Sequence, residues 1–153
     1  MKIGIVGSGA MGSGIAQVLA TVGNEVLLYD SNPLAVEKAG QNLEAQFQKL
    51  AEKGKMNFEE AEIYFDNIRL SDKLSELKDS ELIIEAIVED LEIKKDLFQK
   101  LESLVSEDCI LATNTSSLSI ASIASACQKP ERVIGIHFFN PALVMKLVEV
   151  VQG

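Results

Sequence analysis

Tryptophan is absent, aromatic residues make up only 5% of the 153-residue chain, and there are two cysteines and one histidine. Each shortage excludes something. Cys109 and Cys127 form neither a CxxC pair nor the disulfide framework of a small secreted domain, which suits a reducing cytosol. No metal site is expected. Long apolar runs are also missing: no stretch approaches the roughly 18 residues of a membrane span. The opening MKIGIVGSGAMG carries a basic residue, but glycines break it before the apolar core of a signal peptide. Basic residues are outnumbered, 14 against 23 acids, for a net charge of −9. Such a surface argues against nucleic acid or an anionic membrane as partner, because phosphate recognition relies on clustered Lys and Arg. These absences together lead to the expectation of a soluble, cytoplasmic protein.

The acid is unevenly placed. Residues 1–24 sum to +1, residues 25–108 to −11 and residues 109–153 to +1. An overall acidic protein can therefore still offer a polyanionic nucleotide an edge nearly free of acid. At 47% apolar the chain has ample material for a core, and its length fits one domain over 1–153.

Short apolar runs alternate with helical patterns. Strands are expected at 2–6, 25–29, 68–70, 81–87, 109–113, 132–137 and 146–151. Helices are expected at 12–22, ending before Gly23, from Pro33 to near Gly54, at 58–66, at 91–105 behind an Asp90 cap, and near 119–127. The alternation implies an α/β fold of Rossmann type: a doubly wound, mostly parallel sheet with a helical hairpin inserted after strand two.

Gly7-Ser8-Gly9-Ala10-Met11-Gly12 reads GxGxxG, with a strand before it, a helix after it and Asp30 standing 18 residues beyond Gly12. The first glycine permits a sharp turn, the second admits a pyrophosphate, and the third allows close helix–strand packing. Free N–H groups at the helix N-terminus would face the phosphates, with Ala10 and Met11 among the cofactor-binding residues. Asp30 would accept the adenosine ribose hydroxyls and repel a 2′-phosphate, so NAD is favoured over NADP. A glycine turn and a solvated Asp are the plainer alternative.

His137 lies where the Ile134–Ile136 strand runs out, at the carboxyl edge where open α/β sheets bind ligands. Glu149 follows 12 residues later inside the apolar run 147–151, where a carboxylate is costly without a partner. If the last two strands are antiparallel, the two meet, and a His–Glu pair suits a general base. A surface strand whose Glu faces water is the other possibility. Asn114-Thr115-Ser116-Ser117 follows the CILAT strand, and a hydroxyl there can either bond a substrate oxygen or cap the next helix. Glu89 and Lys94 flank the start of the 91–105 helix and by default are solvated, with Lys94 pairing to Asp90 at i,i+4.

The segments GSGAMGSGIA, EAIVEDLEIKKDLF, NTSSLSI and HFFNPALVMKLVEVV together resemble the N-terminal NAD-binding domain of the 3-hydroxyacyl-CoA dehydrogenases, closest to the bacterial 3-hydroxybutyryl type. The resemblance covers essentially the whole chain. It implies His137 as general base, Glu149 as its orienting carboxylate, Ser116 as hydrogen bonder to the substrate 3-oxygen, and Asn140 near the site. It further implies that Asp30, Glu89, Lys94 and Asn114 line the NAD site and that Lys53 or Lys55 touches CoA. Relatives continue into an all-helical C-terminal domain that closes over the acyl-CoA and forms a homodimer; that domain is absent from this sequence. Two other readings stand beside an enzyme: a non-catalytic NAD-binding or structural module, and a dehydrogenase acting on a free hydroxy acid.

Overall fold

A computed structural model describes all 153 residues. Seven strands form one sheet: β1 (Lys2–Val6), β2 (Glu25–Tyr29), β3 (Ile68–Ser71), β4 (Leu82–Glu85), β5 (Ile110–Thr113), β6 (Val133–Phe138) and β7 (Val148–Gln152). Their order is β3-β2-β1-β4-β5-β6-β7, with every pairing parallel except β6 with β7. The chain starts mid-sheet at β1, winds outward to β3, then crosses to β4 and winds the other way. The direction therefore reverses between β1 and β4, and in such sheets ligands bind outside the carboxyl ends of the strands at that reversal.

Five α-helices connect the strands: α1 (Ala10–Thr21), α2 (Pro33–Glu52), α3 (Phe58–Asp66), α4 (Leu91–Leu104) and α5 (Ile120–Ala124). α1, α2 and α3 cover one face, joining Ile5, Ile15, Leu28, Leu43 and Phe47 in one apolar layer. α4 and α5 cover the other, with Ile83, Phe98, Leu101, Leu111 and Ile123. Neighbouring Ile83 and Ile84 enter opposite layers, which is why strands buried on both faces read as unbroken apolar runs. The hairpin after β2 is α2–α3. Asn32 accepts the Leu34 N–H ahead of Pro33, and Asn57 with Glu60 forms a reciprocal capping box at α3.

Four departures of element boundaries from the sequence expectation bear on how the chain is arranged. α1 begins at Ala10, inside the glycine motif rather than after it, so Gly12 is already helical. β4 ends at Glu85 rather than 87, where the Glu85 carboxylate accepts the Ile87 N–H at 2.7 Å and turns the chain. The helix expected to reach 127 ends at Ala124, and beyond it the Glu102 carboxylate takes the Gln128 and Lys129 N–H groups at 2.8 Å each. The last strand starts at Val148 rather than 146, and all five of its residues are exposed, since it forms the sheet edge. Burial therefore gives no reason for Glu149 to need a partner; the cross-strand register supplies one instead.

Candidate active site

The glycine turn leaves the carboxyl end of β1. Gly7 has φ +107°, and a Cβ there would come within 2.5 Å of the Ala86 carbonyl oxygen. A Cβ on Gly12 would lie 1.7 Å from the Gly7 carbonyl oxygen, so the third glycine sets how closely α1 approaches the turn. Gly9 differs: its Cβ would meet nothing within 4 Å of the protein itself. That open space lies at the N-terminus of α1, which has no side-chain cap. The first-turn N–H groups of Ala10, Met11 and Gly12 have no intrahelical acceptor and are free for a phosphate.

Asp30 stands at the end of β2 beside this turn. Its carboxylate accepts the Ser8 N–H and hydroxyl at 2.9 Å each, and the Asn32 N–H at 3.0 Å. Partial burial pushes its pKa up, but these three donors outweigh burial and hold the group below its usual value. Asp30 is thus an ionised, oriented acceptor suited to ribose hydroxyls. Next to it a cavity of about 320 Å³, walled by Leu74, Ile87 and Leu97, has the apolar lining a flat heterocycle needs. The residues present fit a dinucleotide: an anion cradle, a ribose acceptor and an apolar slot in sequence.

The register of β6 and β7 places His137 directly opposite Glu149. Imidazole Nδ1 lies 3.4 Å from a Glu149 carboxylate oxygen, and the ring packs on Phe139 at 4.5 Å between centroids. The His137 side chain is 21% exposed and that of Glu149 55%, so the pair is open to a ligand. Beyond β6 the chain turns through a cis Asn140–Pro141 bond. Exposed Asn140 lines a second cavity, about 600 Å³, together with Ser8, Ser13, Gln17, Lys38 and Asn42. Gln17 is buried, and both its amide atoms are without a partner. Lys53 and Lys55, at the hairpin tip, are exposed and do not reach this cavity; the cation on its wall is Lys38, which sequence reasoning missed.

The loop after β5 is held from two sides. Asn114 accepts the Phe138 N–H at 2.8 Å, tying the loop to the end of the strand that carries His137. The Thr115 hydroxyl donates to Glu89 at 2.6 Å and the Ser117 hydroxyl to the same oxygen at 3.2 Å. Ser116, between them, is exposed and makes no hydrogen bond within the protein. The helix cap falls to Ser119, which accepts the Ser122 N–H, leaving Ser116 unused by the fold.

Lys94 is not solvated, and it does not pair with Asp90. Asp90 caps α4 through the Ile93 N–H, while the Lys94 side chain, 1% exposed, runs inward to Glu85 at 2.5 Å and Glu89 at 2.9 Å. Glu85 is fully buried and also accepts the Thr113 hydroxyl at 2.7 Å. No local signal marked it, since in LIIE it reads as the polar end of a strand. Burial pushes the Glu89 carboxyl up, yet the Thr115 hydroxyl and Lys94 ammonium outweigh that and keep it below the usual carboxylate range.

Residues 2–153 match the family described as 3-hydroxyacyl-CoA dehydrogenase, NAD binding domain. A 3-hydroxybutyryl-CoA dehydrogenase of Clostridioides difficile is 50% identical over 154 residues, covering 100% of this chain and 54% of that protein. A probable 3-hydroxybutyryl-CoA dehydrogenase of Bacillus subtilis (strain 168) is 44% identical over 152 residues, covering 99% of this chain and 53% of its own length. The crystal structure of (S)-3-hydroxybutyryl-CoA dehydrogenase from Ralstonia eutropha matches with a TM-score of 0.96 at 37% identity, over 99% of this chain and 54% of that one. The chain spans about half the length of these relatives.

Proposed function

Because this chain belongs to the 3-hydroxyacyl-CoA dehydrogenase family through its NAD-binding domain, we propose that it is the cofactor-binding half of an enzyme interconverting (S)-3-hydroxyacyl-CoA and 3-oxoacyl-CoA. The proposed substrate is short-chain, such as 3-hydroxybutyryl-CoA. One observation carries the reading: His137 stands opposite Glu149 on a strand whose end is bonded to the Ser116 loop through Asn114. With the Nδ1 proton shared toward Glu149, Nε2 is the basic nitrogen, and it takes the proton of the substrate 3-hydroxyl. Glu149 orients the ring and stabilises the imidazolium that results. The Ser116 hydroxyl bonds the 3-oxygen, and Asn140 lies on the substrate side. NAD, when bound, supplies the hydride acceptor for C3. Glycines 7, 9 and 12, the N–H groups of Ala10 and Met11, and Asp30 hold its adenosine and phosphate portions, with Glu89, Lys94 and Asn114 toward the reacting end.

The wall of the larger cavity supports an acyl-CoA: the exposed Asn42 amide suits an amide-bearing pantetheine arm, and Lys38 suits its phosphates, with Lys53 or Lys55 as outer contacts. A further all-helical C-terminal domain and a homodimer belong to the same proposal. Exposed apolar side chains from Leu143 to Val151 support a covering surface there. Unpaired Cys109 and Cys127 suit a reducing, cytoplasmic location.

The test is NADH-dependent reduction of acetoacetyl-CoA by the full-length protein. Loss of a general base typically costs about 10²–10⁴ in rate, so His137→Ala should fall by that factor with NADH affinity little changed. A rate near that of wild type refutes the assignment. Equal activity on free acetoacetate redirects the substrate to a free acid.

A further inference from the structure

The dehydrogenase reading leaves one buried charge without a task. Glu85 sits at the end of β4, fully buried, and its carboxylate gathers three donors: Lys94 Nζ at 2.5 Å, the Ile87 N–H at 2.7 Å and the Thr113 hydroxyl at 2.7 Å. Burying the Glu85 carboxylate with the Lys94 ammonium is expensive, and an apolar pair of similar volume would stabilise the fold at least as well. Its geometry gives the arrangement a use. Lys94, pinned by Glu85, presents its remaining donors to Glu89 at 2.9 Å. The other Glu89 oxygen accepts the hydroxyls of Thr115 and Ser117, one on each side of Ser116. Thr115 Oγ1 in turn accepts the Leu118 N–H at 3.0 Å, closing the loop on itself.

We propose that Glu85 is a positioning residue for the reaction: through Lys94 and Glu89 it clamps the loop that presents the Ser116 hydroxyl. The proposal rests on the dehydrogenase reading for what Ser116 does, but the clamp itself is a property of this chain. Without Glu85 the Lys94 ammonium has only the partly exposed Glu89 to bind and no fixed direction. The Ser116 hydroxyl then samples positions away from the reacting oxygen. Misplacement of about 1 Å can cost as much as 10²-fold in rate. The cost falls mainly on kcat, because NAD is held chiefly through the glycine turn and Asp30 on other elements, and Lys94, 1% exposed, meets its reacting end only through Glu89.

Two measurements on the full-length protein test this, one of them independent of turnover. Glu85→Gln keeps the shape and removes the charge: its amide oxygen still accepts the Ile87 N–H, and its amide N–H donates to the Thr113 hydroxyl in place of accepting from it. Hydrogen exchange of the 114–118 segment should quicken by about tenfold, as for a lost charge-assisted bond, while the α2–α3 hairpin is unaffected. Unchanged exchange there, or equal quickening in both segments, overturns the clamp. In acetoacetyl-CoA reduction, Glu85→Gln should lower kcat by about tenfold or more with the KM for NADH within about threefold. In a Ser116→Ala background the same substitution should change kcat by less than about threefold. Equal losses in both backgrounds mean that Glu85 acts elsewhere and overturn the proposal. Thr115→Val breaks the clamp without touching the buried charges, and it should show the same exchange and the same dependence on Ser116 should Glu85→Gln fail to fold. Wild-type protein inactive on acetoacetyl-CoA sinks the substrate reading alone; the exchange result still decides the clamp.

Discussion

Replacing Lys94 by Met keeps an aliphatic stem of similar length and removes the ammonium lying 2.5 Å from Glu85 and 2.9 Å from Glu89. The Glu89 side chain is 46% exposed, so water takes over its lost bond. Glu85 has no such recourse at 0% exposure. Stripping one partner from a buried ion pair costs about 3–5 kcal/mol. The Ile87 N–H and Thr113 hydroxyl remain on the carboxylate, which places the loss toward about 3 kcal/mol. For a domain near 150 residues each kcal/mol moves Tm by about 2–4 °C, so the fall should be about 6–12 °C. Thermal unfolding followed by circular dichroism at neutral pH measures it. Lys95→Met is the control: Lys95 meets Glu92 at 3.3 Å on the surface, where such pairs contribute about 0–1 kcal/mol. A double substitution, Glu85→Leu with Lys94→Met, should recover most of the loss, because it leaves no unpaired buried charge. If Lys94→Met melts together with Lys95→Met, the buried pair is not holding the β4–α4 junction and the reasoning fails.

The glycine turn separates two roles that share one motif. Gly12→Ala puts a methyl 1.7 Å from the Gly7 carbonyl oxygen and should unfold or strongly destabilise the protein, whereas Gly9→Ala meets no protein atom. Gly9→Ala should therefore keep its Tm within about 2 °C, an effect under 1 kcal/mol, while NADH titration calorimetry shows weakened binding; unimpaired binding removes the phosphate from Gly9. Asp30→Asn should weaken NAD by about tenfold or more, as expected where a charged acceptor loses its hydroxyl partners. Because the folded-state pKa of Asp30 is lowered, its stabilising contribution is present above the ordinary carboxylate pKa and is lost as pH falls through the folded value. The Tm difference between wild type and Asp30→Asn should thus shrink below about pH 4; a difference that widens in acid contradicts the sign.

Much of the dinucleotide end was legible in the chain because its signals are local. The spacing of Gly7, Gly9, Gly12 and Asp30 belongs to one strand–turn–helix–strand unit, and short-range sterics dictate it. Gly23 and Gly54, both at positive φ just past helices, are equally local. The approach of His137 to Glu149 was also within reach, since consecutive strands joined by the nine residues 139–147 can pair as antiparallel neighbours. The apolar run 147–151 suggests burial as the reason for that partner, whereas β7 is exposed throughout because nothing in this chain covers the sheet edge.

What only the tertiary structure decided is how the charges are spent. Lys94 on an amphipathic helix behind an acidic cap reads as one more solvated lysine, and its i,i+4 partner is present in the sequence. Its actual partner is set by the packing of α4 across β4, which leaves the Glu85 carboxylate beneath the helix with no water to meet it. Asn114 and Phe138 stand 24 residues apart, and Thr115 and Glu89 stand 26 apart; no periodicity links such pairs. Sequence by itself determined the doubly wound sheet, the nucleotide turn and the identities of the groups that can do chemistry, because backbone sterics and apolar alternation act over a few residues. Which of those groups are buried, and which hold one another in place, depends on layers meeting across the whole chain, where the loss of water makes each unpaired charge costly enough to choose its partner.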